Sequence, residues 1–173
     1  MEDEDNNKYK YCYDINTKII RICINNPLDV WCWKHYKTKS DKWLKLKVYL
    51  WTNPKDGYQK YRITINYKNY TLSRVIYKCI NNKWDIDDSS KNNIIDHKNN
   101  NSLDNRIENL RVVTQQQNGF NTNARGTTFN KKNNCWTAQL GINGKIKSKS
   151  GFKTEEAAHK HYLMMKKEYH III

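Results

Sequence analysis

Hydrophobic and polar residues follow two different periods along this chain. Lys18-Ile19-Ile20-Arg21-Ile22-Cys23-Ile24 predicts a strand, and residues 43–50 alternate with period two and predict another. Residues 61–67 predict a third strand, with turns at Asn25-Asn26-Pro27, at residues 53–57 and at Lys68-Asn69. The period then lengthens. Leu72, Val75, Ile76 and Cys79 recur at helical spacing behind Thr71, a good N-cap, and Asn81-Asn82 closes the helix.

A polar loop over residues 87–93 leads into Ile94-Ile95-Asp96-His97, a short apolar strand ending in two reactive side chains. After a second polar loop, from Lys98 to Asp104, residues 109–113 predict a strand. Thr114 then caps a short helix to about Phe120. Beyond residue 123 the pattern predicts three more strands, at residues 126–129, 135–142 and 145–149. Asn133-Asn134 and Asn143-Gly144 lie between them, and Asn-Gly is a strong hairpin signal. Thr154, Glu155 and Glu156 open a last helix to about Tyr169, with Ala157, Ala158, Tyr162 and Met165 on its apolar face.

Composition limits what such elements can build. Only 38% of the 173 residues are hydrophobic and the mean hydropathy is -0.99, which predicts several small cores. Aromatic residues are nonetheless 12%, too many for a disordered chain. No apolar run is long enough to span a membrane, and the acidic MEDEDNN start is the opposite of a secretory signal. Residues 1–8 read as a frayed acidic tail, and Ile171-Ile172-Ile173 is too short an apolar end to anchor the chain. Five cysteines without a Cys-x-x-Cys pair argue for free thiols in a reducing compartment, and against a zinc ribbon or disulfide framework.

The net charge of +14 favours polyanion partners. It combines 25 Lys with only 6 Arg, beside 24 Asn, a bias that A+T-rich codons also produce. The surplus is +3 over residues 1–59, +4 over 60–123 and +7 over 124–173.

Candidate chemistry concentrates between residues 96 and 118. A carboxylate, a histidine and amides converging from a strand–loop–strand–helix unit suit a hydrolytic metal site. Oxygen donors prefer hard cations, and histidine accepts a proton from water near neutral pH. An isolated Asp-His pair is also compatible with a turn cap and a packed ring.

Residues 60–123 resemble HNH homing endonucleases of the phage and intron-encoded type. Ile95-Asp96-His97-Lys98-Asn99-Asn100 carries the likeness, followed by the run from Asn105 through Asn109-Leu110-Arg111-Val112-Val113-Thr114 and then Asn118. The resemblance implies a ββα-metal fold, a double-stranded DNA substrate, and Mg²⁺ or Mn²⁺. It implies Asp96 as a metal-binding acid, His97 as the general base, Asn109 as the residue orienting that histidine, and Asn118 as the second metal ligand. An amide at the last position, often His in the family, disfavours Zn²⁺. Upstream, Ser73 stands where the family has a histidine, while Arg74 is retained.

Residues 124–170 resemble the APETALA-type DNA-binding domain, through Arg125-Gly126-Thr127-Thr128-Phe129, Cys135-Trp136-Thr137-Ala138 and Gly151-Phe152-Lys153-Thr154. This implies a three-stranded sheet backed by a helix, with the open sheet face in the DNA major groove. Period-two alternation assigns Arg125, Lys131, Lys132, Trp136, Lys145, Lys147 and Lys149 to that face. Trp136 reads equally as core. In the nuclease segment Arg74, Arg106 and Arg111 are the candidate DNA contacts. Residues 1–59 match no module; Trp31, Trp33 and Trp43 beside Lys34, Lys37, Lys39 and Lys42 read as a small aromatic core with a basic rim or as a nucleic-acid contact.

The expected molecule is thus an α+β protein with a β-rich accessory region (1–59), an HNH nuclease domain (60–123) and a DNA-binding domain (124–170). It would cut DNA, nicking one strand per site, inside a host cell as part of a phage, virus or mobile element. No protein partner or membrane is implied. The competing readings are a DNA-binding regulator without catalysis and an RNA-binding protein.

Overall fold

The computed structural model describes residues 8–142 and 144–170. The acidic tail, all but its last residue, Asn143 of the Asn-Gly pair, and the three terminal isoleucines lie outside the described residues. The chain is mixed, with more strand than helix, and divides into two compact units, residues 1–112 and 113–173. No helix among the described residues is long and apolar enough to cross a membrane.

The first unit opens with an antiparallel sheet of β1 (Tyr9–Ile15), β2 (Lys18–Cys23), β3 (Val30–Lys34) and β4 (Lys42–Lys45), paired in that order. A second sheet contains β5 (Val48–Thr52), β6 (Gln59–Ile65) and β7 (Lys68–Thr71). The expected single strand over residues 43–50 is therefore two strands in different sheets. Leu46 donates its amide to Val30 O as the chain leaves the first sheet, and Val48 begins the second. Leu46 and Val48 both pack on the core, so burial keeps its period through the break and the sequence shows no interruption.

The hairpin between β6 and β7 turns at Asn66-Tyr67, not at Lys68-Asn69. Both turn residues adopt positive φ, +46° and +66°, the geometry a two-residue hairpin of this twist requires. Asn16-Thr17 makes the same turn between β1 and β2. The two turns clasp, with Asn16 Nδ2 donating to Ile65 O and Asn66 O, both at 2.9 Å.

Helix α1 (Leu72–Ile80) follows β7 with Thr71 at its N-cap and Asn81 at its C-cap, as the spacing predicts. Leu72, Val75, Ile76 and Cys79 face a core shared with Ile20, Ile22 and Val30 of the first sheet and Ile63 and Ile65 of the second. That core spans both sides of the expected division at residue 59. The five cysteines are free thiols. In the core, the hydrogen bond between Cys12 and Cys79 lowers the Cys12 thiol to about 7 and pushes the Cys79 thiol well up. Strands β8 (Ile94–His97) and β9 (Leu110–Val113) pair as a ribbon, and a 3-10 turn at Ile107–Asn109 leads into β9.

The second unit begins with α2 (Gln115–Phe120), which carries a full capping box. Thr114 accepts from the Gln117 amide while Gln117 accepts from the Thr114 amide. Strands β10 (Thr127–Asn130), β11 (Cys135–Ile142) and β12 (Lys145–Phe152) form an antiparallel sheet in that order, with α3 (Glu155–Tyr169) against it. Ala158, Tyr162 and Met165 bury against Ala138 and Leu140, while Ala157 is exposed.

Candidate active site

The ribbon of β8 and β9 fixes Asp96 and His97. Asp96 is buried on β8, and Arg111 reaches it from β9, with Nε 2.9 Å and Nη2 2.8 Å from Oδ2. Arg111 is thus engaged with the candidate metal-binding acid. Successive residues of a strand project to opposite sides. His97 accordingly lines a groove of about 500 Å³ that is bordered by Lys60, Lys68, Ser73 and Arg74.

The amide bonded to the histidine is Asn105. Its Oδ1 lies 3.1 Å from His97 Nε2, and its Nδ2 donates to Leu103 O at 3.3 Å. Asn105 is only 4% exposed, so its amide must keep both partners. With Nδ2 committed to a carbonyl, Oδ1 is the acceptor and His97 Nε2 carries the proton.

Asn109, expected to orient His97, has its side chain committed to the connecting loop. Its Nδ2 donates to Asn99 Oδ1 at 3.0 Å and to Asp104 O at 2.7 Å, and its Oδ1 accepts the Asn99 amide at 3.0 Å. Both amide protons are thereby used. The loop's other asparagines build local turns. Asn99 Oδ1 takes the Asn101 amide and Asn101 Oδ1 takes the Leu103 amide. Asn100 adopts φ +61°. Asp104 anchors the far side, receiving Arg106 on both oxygens and Asn99 Nδ2 on one. The Arg106 guanidinium holds the Asp104 carboxyl well below the usual carboxylate range. Arg106 also meets Glu108 at 3.3 Å, so two acids offset its charge.

Arg74 does not lie on a solvated helix face. Its guanidinium donates to Ile86 O, Asp88 O and Asn93 O at 2.6–3.0 Å and stacks 4.6 Å from the Trp84 ring centre. Burial lowers its pKa while Asp88, Asp87 and Asp85 oppose the shift. Asn93 completes the same knot, accepting from the Trp84 indole and donating to Asp85 O and Asp88 O. These bonds shape the loop that delivers the chain into β8.

In the second unit, Asn118 is exposed on α2. The register of β11 and β12 changes the expected face of three lysines. Lys145, Lys147 and Lys149 lie opposite Ile142, Leu140 and Ala138, hence on the helix-packed side. Lys147 Nζ sits 3.7 Å from the ring centre of Tyr169 on α3. Their side chains remain exposed because β12 is an edge strand. The face away from the helix carries Thr137, Gln139, Gly141, Ile146 and Ser148, an uncharged set. Alternation predicts two faces but not which one meets the helix; cross-strand register decides it. Trp136 packs against the core and tilts against Phe129, with centres 5.2 Å apart. Arg125 pairs with Glu155 at 3.2 Å, and Lys131 and Lys132 are exposed in the β10–β11 turn.

No group of three or more His, Cys, Asp or Glu side chains converges among the described residues. A cation here would depend on one carboxylate with neutral oxygens. Mg²⁺ commonly binds in this way, taking its remaining ligands from water and substrate phosphate. The donor chemistry therefore fits a hard divalent ion.

Comparison with known proteins converges on the same segment. Residues 89–120 match the HNH endonuclease family, the stretch holding β8, the Asn-rich loop, β9 and α2. The chain is also 33% identical over 135 residues to an uncharacterized HNH endonuclease of Acanthamoeba polyphaga mimivirus. The aligned part covers 74% of this chain and 66% of that viral protein, just under two thirds of its length. No solved structure matches.

Proposed function

From the HNH endonuclease domain that the chain carries, we propose a metal-dependent endonuclease that hydrolyses phosphodiester bonds in double-stranded DNA, cutting one strand per site. The observation that carries this reading is the buried Asn105 amide on His97 Nε2, inside the matched segment. With the proton on Nε2, Nδ1 is the nitrogen that accepts a proton from the attacking water. General-base help of this kind contributes roughly 10²–10⁴-fold to a rate.

Asp96 is the residue we assign to the cation, Mg²⁺ or Mn²⁺. Bound there, the ion would stabilise negative charge on the departing oxygen. Arg111 holds Oδ2 of Asp96 and turns the carboxylate to one side. Asn109 and Asp104 hold the loop that carries Asn105. Lys60 gives the groove beside His97 a cation suited to phosphate, while Lys68 on the same rim is paired with Asp87. Lys131, Lys132, Lys145, Lys147 and Lys149, with Arg125, supply sequence-independent attraction for DNA.

The test is nicking of supercoiled plasmid in Mg²⁺ by the wild-type chain and by His97→Ala. The expected result is conversion to open circles by the wild type and a rate at least about 100-fold lower for the variant. Equal rates would remove His97 from the mechanism. Plasmid binding without cleavage in Mg²⁺ or Mn²⁺ would support the non-catalytic regulator.

A further inference from the structure

Most cations of the candidate active site are engaged within the protein. Arg111 is held by Asp96, Arg106 by Asp104 and Glu108, and Lys68 by Asp87, the carboxylate that lines the groove beside His97. Arg74 and Lys98 donate to backbone carbonyls. Lys60 and Arg62 on β6 differ from all of these. Among the described residues neither of them meets a carboxylate.

Strand alternation and register place the two together. Tyr61, Ile63 and Ile65 pack on the core, so Lys60 and Arg62 project from the other face of the second sheet. Pairing with β5 sets Trp51 opposite Lys60 and Tyr49 opposite Arg62. Lys60 Nζ lies 5.0 Å and the Arg62 guanidinium centre 4.3 Å from the centre of the Trp51 ring, so one indole meets two cations. On its other side Arg62 lies opposite Thr71 of β7. Thr71 and Lys60 both line the His97 groove, so the pair stands where that groove meets the sheet.

Two like charges held side by side and half-buried, with no acid beside them, are unfavourable in the free protein. Burial pushes the Lys60 ammonium down from its ordinary pKa, and the Arg62 charge adds to that shift. The indole face offsets only part of this cost. An external anion would offset the rest. A nucleic-acid backbone supplies one negative charge per nucleotide on each strand, and a guanidinium fork matches two oxygens of one phosphate. The endonuclease domain on the same chain identifies the polymer as DNA.

Resting on the endonuclease reading and extending it beyond the groove itself, we propose that Lys60 and Arg62 clamp a backbone phosphate of the bound DNA. The DNA backbone then runs from the His97 groove onto the outer face of the β5–β7 sheet. The pair binds and positions the substrate; it takes no part in proton transfer.

The test uses the full chain in EDTA, so that no cleavage occurs, with a fluorescein-labelled 30-base-pair duplex as the probe. Anisotropy across a salt series gives the affinity of Lys60→Met, of Arg62→Met and of Lys83→Met, the last an exposed lysine outside the groove. Loss of one phosphate contact should lower the slope of log affinity against log salt by about 0.9, which is roughly an 8-fold loss at 0.1 M salt. Lys60→Met and Arg62→Met should each show this loss, and Lys83→Met should keep the wild-type slope. Neither groove variant should melt below the wild type, since each removes one of two unpaired like charges. Unchanged slopes in folded Lys60 and Arg62 variants, or an equal fall in Lys83→Met, would overturn the proposal.

The unmodified protein gives a second readout that does not depend on variant folding. Bound duplex should protect Lys60, but not Lys83, from acetylation by acetic anhydride, as read by mass spectrometry of the peptides. Equal acetylation of Lys60 with and without duplex would overturn the clamp. Neither readout requires cleavage. Altered slopes with no nicking in Mg²⁺ would keep the clamp and remove the nuclease, whereas normal nicking with unaltered slopes would keep the nuclease and remove the clamp.

Discussion

His97 Nε2 is held 3.1 Å from the Oδ1 of Asn105, and Asn105 is held in turn by the carbonyl of Leu103. This relay fixes which imidazole nitrogen carries the proton. Asn105→Leu keeps approximate volume but removes the acceptor, so His97 loses its preferred tautomer and ring orientation. The expected outcome is a plasmid-nicking rate about 10–100-fold lower, the range seen when the partner of a functional imidazole is lost. Asn105→Asp, which retains an oxygen at that position, should recover part of the rate. Nitrogen-15 NMR of His97 supplies the direct check. The wild-type ring should report protonation at Nε2 and the Leu variant a tautomer mixture; the same single tautomer in both would count against the relay.

Asn109 acts one step further out. Three side-chain hydrogen bonds tie it to Asn99 and Asp104, and it is buried. Asn109→Ala leaves those groups unsatisfied, at a cost of about 1–3 kcal/mol for each one that stays buried. Thermal denaturation should show a lower melting temperature, together with faster amide exchange over residues 98–104. A normal melting temperature with lost activity would instead assign Asn109 a direct chemical role.

Arg74 separates structure from DNA contact in the same way. Its guanidinium is spent on three backbone carbonyls and the Trp84 ring. Arg74→Ala is expected to destabilise the chain by about 2 kcal/mol or more, since hydrogen bonds to charged groups contribute about 1.5–3 kcal/mol each. The salt dependence of DNA binding should keep its slope. Paired substitution of Lys131 and Lys132 by Ala should reduce that slope by roughly two counterions with little change in melting temperature, provided both lysines touch phosphate.

Asp104 gives a pH dependence whose sign follows from its partners. Arg106 first, and Asn99 as well, hold its carboxyl below the ordinary value of 3.8. A carboxyl depressed in the folded state stabilises fully at pH above that ordinary value, and the benefit is lost as pH falls below it. Asp104→Asn should therefore melt at a lower temperature than wild type at pH 6. The gap between the two should close as pH falls through about 4 towards 2. Melting curves measured across that range decide the matter, and a gap constant with pH would show that the carboxylate charge is irrelevant to the loop.

The sequence made the elements legible where one local signal sufficed. The α1 face at Leu72, Val75, Ile76 and Cys79, the Thr114 cap and the β8 strand ending at Asp96-His97 each lie within one short element. What it concealed depends on partners distant along the chain. Asn105 is one asparagine among several in a polar loop, and nothing local marks it as the buried one facing His97. The lysines of β12 alternate as expected, yet their face is set by pairing with Leu140 and Ala138. Trp31, Trp33 and Trp43 read as a small aromatic core or as a nucleic-acid contact until the register of four strands puts them, half-buried, on the face opposite the core cluster.

Gly126 offers a last contrast between two glycines of the second unit. It has φ +62°, and a Cβ added there would lie 2.1 Å from the ring of Tyr162, a buried core residue of α3. Backbone strain and the clash act together, because the ring cannot retreat into a packed core without displacing Ala158 or Met165. Gly126→Ala should destabilise the unit by about 1–3 kcal/mol, and the double variant Gly126→Ala with Tyr162→Leu should show a smaller loss than the two single effects added. Gly119, inside α2, meets nothing within 4 Å at the same added atom. Gly119→Ala should instead raise helix stability by roughly 0.5–1 kcal/mol. Paired urea melts of the two alanine variants test the assignment: shifts of opposite sign are expected, and a shared direction would mean that the ring of Tyr162 does not constrain residue 126.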